Sequence, residues 1–405
     1  MICFNRFILF TLLNLKKSEG FFYFSKTFSI FARKSTQSIM YDQIREDIFF
    51  MMFYAGVAVM ALIASCYLLF RNGNAIAANI TPPVRLRRWG AAFFASIALN
   101  HAWYMPIFFL TSDEAIKMTD LVGGLLDCIT FFPLAIIVLF SMLQDRRRPL
   151  WPVAAMMAPI IAGGVIGVAA RSYALLPMIY AYFLLMCIGI IIYMVRATRQ
   201  YEHWLRDNYA DLEHKEVWQS FLVLAVILLG FGIYVFTSEG PVYQYAMEVI
   251  YVLLICYLLC RVETLSDLSI SVNDEEEETQ NSPLTVRNRT ILENIGPLLK
   301  KYCEDPQLYL QYDLNLTQLA QIIGTNRLYL SQHFSSQGIT YNDYINGLRI
   351  QYFIKLYHEA AAARQHITIK QLAHKSGFHS YSTFNCAFKQ SMGKTATEWM
   401  NNIAE

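Results

Sequence analysis

Two short stretches, TNRLYLSQHF at 325–334 and HSYSTFNCAFK at 379–389, gather side chains able to read the edges of base pairs. The first offers Asn326, Arg327, Ser331 and Gln332; the second offers His379, Ser380, Tyr381, Ser382, Asn385 and Lys389. An Arg fork donates twice to guanine O6 and N7, and an Asn or Gln amide pairs with adenine N6 and N7. Leu330 with Phe334, and Phe384 with Phe388, are four residues apart. On a helix each pair shares one face, which can be buried while the polar residues point the other way. Two plainer roles compete. Ser380 has the type and place of a helix N-cap, and most hydrogen bonds to DNA go to its backbone.

Other polar residues stand in apolar surroundings: Asn100, His101, Asp127 and Glu248. A charged group at the centre of a bilayer costs about 2.5–3.5 kcal/mol on insertion scales, so each needs a partner or a use. His101, Asp127 and Glu248 are therefore candidates for sensing a small ligand or a proton. The alternative is that His101 and Glu248 sit at an interface and Asp127 bonds a neighbouring helix. No GxSxG, HExxH, P-loop or GxGxxG in a strand–helix setting occurs, so no catalytic residues are assigned and no enzyme is expected. The nearest enzymatic arrangement would use His101 and Asp127, which nothing in the sequence pairs. The eight cysteines form no CxxC or Cys/His spacing, and the run Asp274–Glu278 is not spaced as a calcium loop. No metal and no cofactor are expected.

The elements that must position the reading residues come as a repeat. LTQLAQIIGTNRLYLSQHFSSQGITYNDYI, from Leu316, matches IKQLAHKSGFHSYSTFNCAFKQSMGKTATEW, from Ile369. Gln318-Leu319-Ala320 aligns with Gln371-Leu372-Ala373, Gly324 with Gly377, Phe334 with Phe388 and Tyr344 with Trp399. Each copy reads as a helix, a glycine turn and a second helix. Ala320 and Ala373 let two helices cross closely, and Gly324 and Gly377 suit the positive φ at which a helix stops. A helix over about Thr340–Tyr357 joins the copies. It would span roughly 27 Å, against about 34 Å between successive major grooves. Residues 284–405 carry twelve Lys or Arg, Arg349 among them, against eight acids.

The rest of the chain has another character. Apolar residues make up 55% of the sequence and charged ones 16%, where soluble domains carry about a quarter charged. Seven stretches approach the 20 or so apolar residues that a bilayer needs: about 48–70, 89–110, 120–143, 150–170, 173–195, 217–236 and 243–260. Connections on one side carry twelve Lys or Arg, from Arg71 to Arg261, whereas the other side has only Lys117 and Arg171. The positive-inside bias then places the C-terminus in the cytoplasm and the N-terminus outside, in a cytoplasmic (inner) membrane. Residues 1–39, with six Lys or Arg, conflict with that orientation, so a start at Met40 and a mis-assigned extension are expected. The organisation expected is thus 1–39 extension, 40–261 seven-span domain, 262–283 acidic flexible linker and 284–405 reading domain.

LTQLAQIIG, YLSQHF, DYINGLRI, IKQLAHKSGF, STFNCAFK and GKTATEW together resemble the DNA-binding domain of AraC/XylS-type bacterial transcription regulators. The likeness covers about 312–400. It implies an all-α domain of two helix-turn-helix units on a connecting helix, here in a membrane-bound form, and sequence-specific binding of double-stranded promoter DNA. A lipid bilayer, RNA polymerase, a second copy of the chain, and a small-molecule or envelope signal are the further partners such a regulator would meet. Three positions depart from the family pattern. Cys386 stands where Arg is usual, Gln332 where a basic residue is common, and Ala396 follows Thr395 in place of Pro. Fewer charges imply a weaker grip on phosphate and a shallower salt dependence. Two other functions fit the same layout. One is release of the reading domain by cleavage in the linker; the other is a transporter or membrane enzyme with an autoregulatory DNA-binding appendage.

Overall fold

The structure is a computed structural model that describes residues 47–226, 241–268, 295–363 and 367–404. Residues 1–39, the acidic run Asp274–Glu278 and the second half of the expected 217–236 span lie outside the described residues.

The fold is all-α; among the described residues the one β feature is an isolated bridge between Tyr209 and Asn315. The apolar half contains α1 (Ile48–Phe70), α2 (Val84–Tyr104), α3 (Asp113–Ile129), α4 (Phe131–Met142), α5 (Trp151–Ala169), α6 (Leu176–Asn208) and α7 (Pro241–Thr264). Among the described residues, five stretches are long and apolar enough to cross a membrane: Ile48–Phe70, Asp113–Met142, Trp151–Ala169, Leu176–Asn208 and Gln244–Thr264. Their outward faces are apolar as well: Phe49, Phe70, Trp151 and Leu185 are all exposed. Inward they turn small residues, so helices approach closely. Ala61, Ala64 and Leu68 of α1 pack on Ala91 and Phe94 of α2, and the Ser65 hydroxyl donates to the Ala91 carbonyl at 2.8 Å.

Local chemistry sets where these helices break. Pro133 lacks an N–H and its ring crowds the carbonyl four residues back, so α3 and α4 part at Ile129–Thr130. The sequence suggests a span ending near 195, yet α6 runs on to Asn208, about 50 Å in all. The reason is an amphipathic continuation: Met194, Ala197, Tyr201, Leu205 and Asn208, at helical spacing, are all buried. The chain after α7 also stays packed further than its composition suggests. Val262, Leu265 and Leu268 are buried, and Gln144 accepts from Leu268 N at 2.8 Å and donates to the Ser266 carbonyl at 2.9 Å.

The C-terminal part holds α8 (Leu316–Ile323), α9 (Arg327–Ser336), α10 (Tyr341–Ala362), α11 (Ile369–Lys375), α12 (Tyr381–Met392) and α13 (Ala396–Ala404). Capping boxes start three of them: Asn315 with Gln318, Thr340 with Asp343, and Thr368 with Gln371. There are two separate cores. Leu319, Ala320, Leu330, Phe334, Tyr341 and Ile345 fill the first; Phe353, Leu372, Ala373, Phe384, Phe388 and Trp399 fill the second. Helix α10 serves both, its first turns in one core and its middle in the other. Its 22 residues span about 33 Å, longer than the sequence suggests because Ala360–Ala362 continue it.

Candidate nucleic-acid interface

Each C-terminal unit is a helix-turn-helix. In the first, α8 ends at Gly324 in the left-handed conformation (φ 73°), and the turn leads into α9. Leu330 and Phe334 anchor α9 in the core, leaving Gln332 exposed and Ser331 half-buried. Asn326 caps α9: its side-chain oxygen accepts from Leu328 N at 2.6 Å. Arg327 follows in the first turn.

The second unit repeats this geometry. Gly377 (φ 89°) follows α11, and Phe384 and Phe388 anchor α12. His379, Tyr381, Ser382 and Lys389 are exposed, and Asn385 is half-buried. The Ser380 hydroxyl caps α12 by accepting from Thr383 N at 3.2 Å. Asn326 and Ser380 thus each spend one oxygen on a cap, while the remaining candidates share the outward faces of α9 and α12.

The two units are held to one another by groups that composition alone could not single out. Arg349 of α10 is only 1% exposed. Its Nε donates to the Tyr309 carbonyl at 2.7 Å, its Nη2 to the Gln311 carbonyl at 2.6 Å, and its guanidinium lies over the Phe378 ring. A residue counted by sequence among the basic charges is therefore an internal tie. Tyr312, next to those carbonyls, bonds His374 of α11 at 2.7 Å and meets the His379 ring edge-on. The backbone of Leu310 presses against Gly377, where a Cβ would fall 2.8 Å from the Leu310 Cα. The relative position of α9 and α12 is consequently built in.

Comparison with known proteins agrees with this geometry. Residues 319–402 match the family described as "Helix-turn-helix domain". Residues 319–402 are an AraC-type helix-turn-helix domain. The TCP pilus virulence regulatory protein of Vibrio cholerae serotype O1, in each of two strains, is 36% identical over 76 residues, 19% of this chain. The chain spans about a quarter (26%) of the length of these curated relatives. No solved structure matches the chain significantly.

The AraC-type domain does not stand apart from the apolar half. The segment leaving α6 runs across it, touching both units. Asn208 Oδ1 accepts from Arg327 Nε at 2.9 Å and from Nη2 at 2.5 Å. The Tyr209 and Ala210 carbonyls accept from Asn342 Nδ2 at 3.0 and 2.8 Å, and Asn346 Nδ2 donates to the Ala210 carbonyl at 3.0 Å. Ala210 is 1% exposed and packs within the first core. The Thr383 hydroxyl of α12 lies 3.3 Å from Asp211 Oδ1 and 3.4 Å from Glu213 Oε2. Ligand atoms of Asp211, Glu213 and His379 fall within 4.8 Å of one another. Sequence reasoning passed over Asn342, Asn346 and Thr383. Two asparagines four apart on the buried side of α10 were the available signal.

Within the apolar half the polar residues are brought together in pairs. His101 Nε2 lies 3.2 Å from Glu248 Oε2, and His101 Nδ1 lies 2.8 Å from the Ile97 carbonyl. Asn100 donates to Asp127 Oδ1 at 2.5 Å, and the Tyr104 hydroxyl donates to Asp127 Oδ2 at 3.1 Å. The imidazole of His101 thus sits between a backbone carbonyl of its own helix and a carboxylate of α7. Tyr54, whose hydroxyl donates to the His101 carbonyl at 3.0 Å, and Tyr104 were not anticipated from sequence.

Proposed function

We propose that this chain is a membrane-tethered transcription regulator that binds promoter DNA sequence-specifically through both helix-turn-helix units of its AraC-type domain. The single observation that carries the reading is their combination in one chain. Two anchored recognition helices present polar faces outward, and helices with apolar outward faces precede them. Arg327, Ser331, Gln332, His379, Tyr381, Ser382, Asn385 and Lys389 are the proposed DNA contacts, with Asn326 and Ser380 contributing what their caps leave over. The recognition helices enter major grooves by their N-terminal turns, and α10, which joins the two units, is about as long as one helical repeat of DNA. The Lys/Arg asymmetry supports a cytoplasmic C-terminus in the inner membrane. Promoter DNA and lipid are the main partners; RNA polymerase and a second copy of the chain complete the regulator.

Chromatin precipitation of the native protein, with and without residues 300–405, tests this. Discrete promoter regions should be enriched from membrane-associated protein and lost on deletion. Uniform recovery across the genome would sink it.

The apolar half is the proposed signal input, because the paired side chains of His101 and Glu248, and Asp127 with its partner Asn100, sit among helices packed on one another. The double substitution Asp127→Asn and Glu248→Gln should flatten the response of a bound promoter's reporter to external pH or to envelope conditions. An unaltered response at equal protein level would leave these groups a purely structural role.

A further inference from the structure

The contacts made by residues 208–213 fall on the part of the AraC-type domain that DNA would need. Arg327 opens the first recognition helix, and the Nε–Nη2 edge of its guanidinium, the edge that could grip a guanine or a phosphate, is occupied by Asn208 Oδ1. Thr383, in the first turn of the second recognition helix, faces the carboxylates of Asp211 and Glu213, which also gather beside His379. Between these ends the backbone carbonyls of Tyr209 and Ala210 are held by Asn342 and Asn346. The β-bridge from Tyr209 to Asn315 adds a further attachment. A duplex spanning both units brings phosphates to the same helix ends, and two carboxylates there repel them.

We propose that residues 208–213 are an internal competitor for DNA: a strap continuous with α6 that caps both reading helices and must withdraw before they engage a duplex. This rests on the DNA-reading function proposed above. Two features suit the strap to this role. It is the direct continuation of α6, whose first half is a candidate membrane span, so a shift of that helix moves the strap without any intermediary. Its grip on the domain is also mainly polar, built of hydrogen bonds to asparagine amides, one guanidinium and one hydroxyl. Such bonds exchange for water at modest net cost. Ala210 supplies a buried apolar contact. Strap and DNA are then mutually exclusive ligands of one surface, and by linkage a signal that draws the strap away raises DNA affinity by the same factor.

The test uses the full chain in lipid nanodiscs and a duplex selected from a random-sequence pool. Asn208→Ala and the pair Asp211→Asn with Glu213→Gln are compared with the unaltered chain. Each should bind the duplex more tightly, on the order of tenfold, with an unchanged unfolding temperature. Hydrogen exchange at residues 208–213 of the unaltered chain should rise when the duplex is added. Equal or weaker binding by the variants, or a strap that stays protected under saturating duplex, would overturn the strap while leaving DNA reading intact. If no version binds any duplex, the strap and the DNA-reading function fall together.

Discussion

Replacing Arg349 by alanine is expected to lower the stability of the AraC-type domain by about 2–3 kcal/mol, because a buried acceptor left without a donor costs about 1–3 kcal/mol. The buried bond to the Tyr309 carbonyl would be lost along with the part-buried one to Gln311, and the Phe378 ring would lose the guanidinium lying over it. Against a domain stability of about 5–15 kcal/mol, that is a large fraction. Arg349→Lys should fail as well, since an ammonium cannot reproduce a planar fork reaching two separate carbonyls. Pulse proteolysis of the region 295–404 within the full chain reads the effect directly. If instead Arg349→Ala left protection unchanged and merely lowered the salt dependence of DNA binding, the residue would be a phosphate contact and its burial without consequence.

The second large effect is expected at Gly377, and a control for it is built into the repeat. Gly324 and Gly377 occupy equivalent turns at positive φ. At Gly324 a Cβ meets nothing within 4 Å, so Gly324→Ala bears only the left-handed conformation, about 1–2 kcal/mol. At Gly377 a Cβ would stand 2.8 Å from the Leu310 Cα and 3.0 Å from its carbonyl oxygen. Those are backbone atoms that cannot swing aside, so forced overpacking adds about 1–3 kcal/mol. Gly377→Ala should therefore be the more damaging of two chemically identical changes. It should also disturb the relative placement of the two units, since Leu310 belongs to the segment that Arg349 and Tyr312 tie down. Unfolding curves for the two variants side by side would decide it. Equal losses would mean that the close approach to Leu310 relaxes at no cost.

Much of this architecture was legible in the order of residues. Leu330 with Phe334 and Phe384 with Phe388 were expected at the buried face of their helices, and all four are buried. Gly324 and Gly377 were expected at helix ends with positive φ and have it. Most of the apolar runs became helices near their expected bounds. These properties are local: a period of 3.6 residues, a missing Cβ or a run of apolar side chains states its consequence within a few positions. The contacts that matter to function were decided elsewhere. Arg349 looked like one more basic charge and became an internal tie, since the Tyr309 and Gln311 carbonyls lie some forty residues away in sequence. His101 meets Glu248 across 147 residues, and Asn208 reaches Arg327 across 119. No local pattern encodes such pairings. They arise only when packed helices choose which faces to bring together, and that choice is made by the shape of the whole.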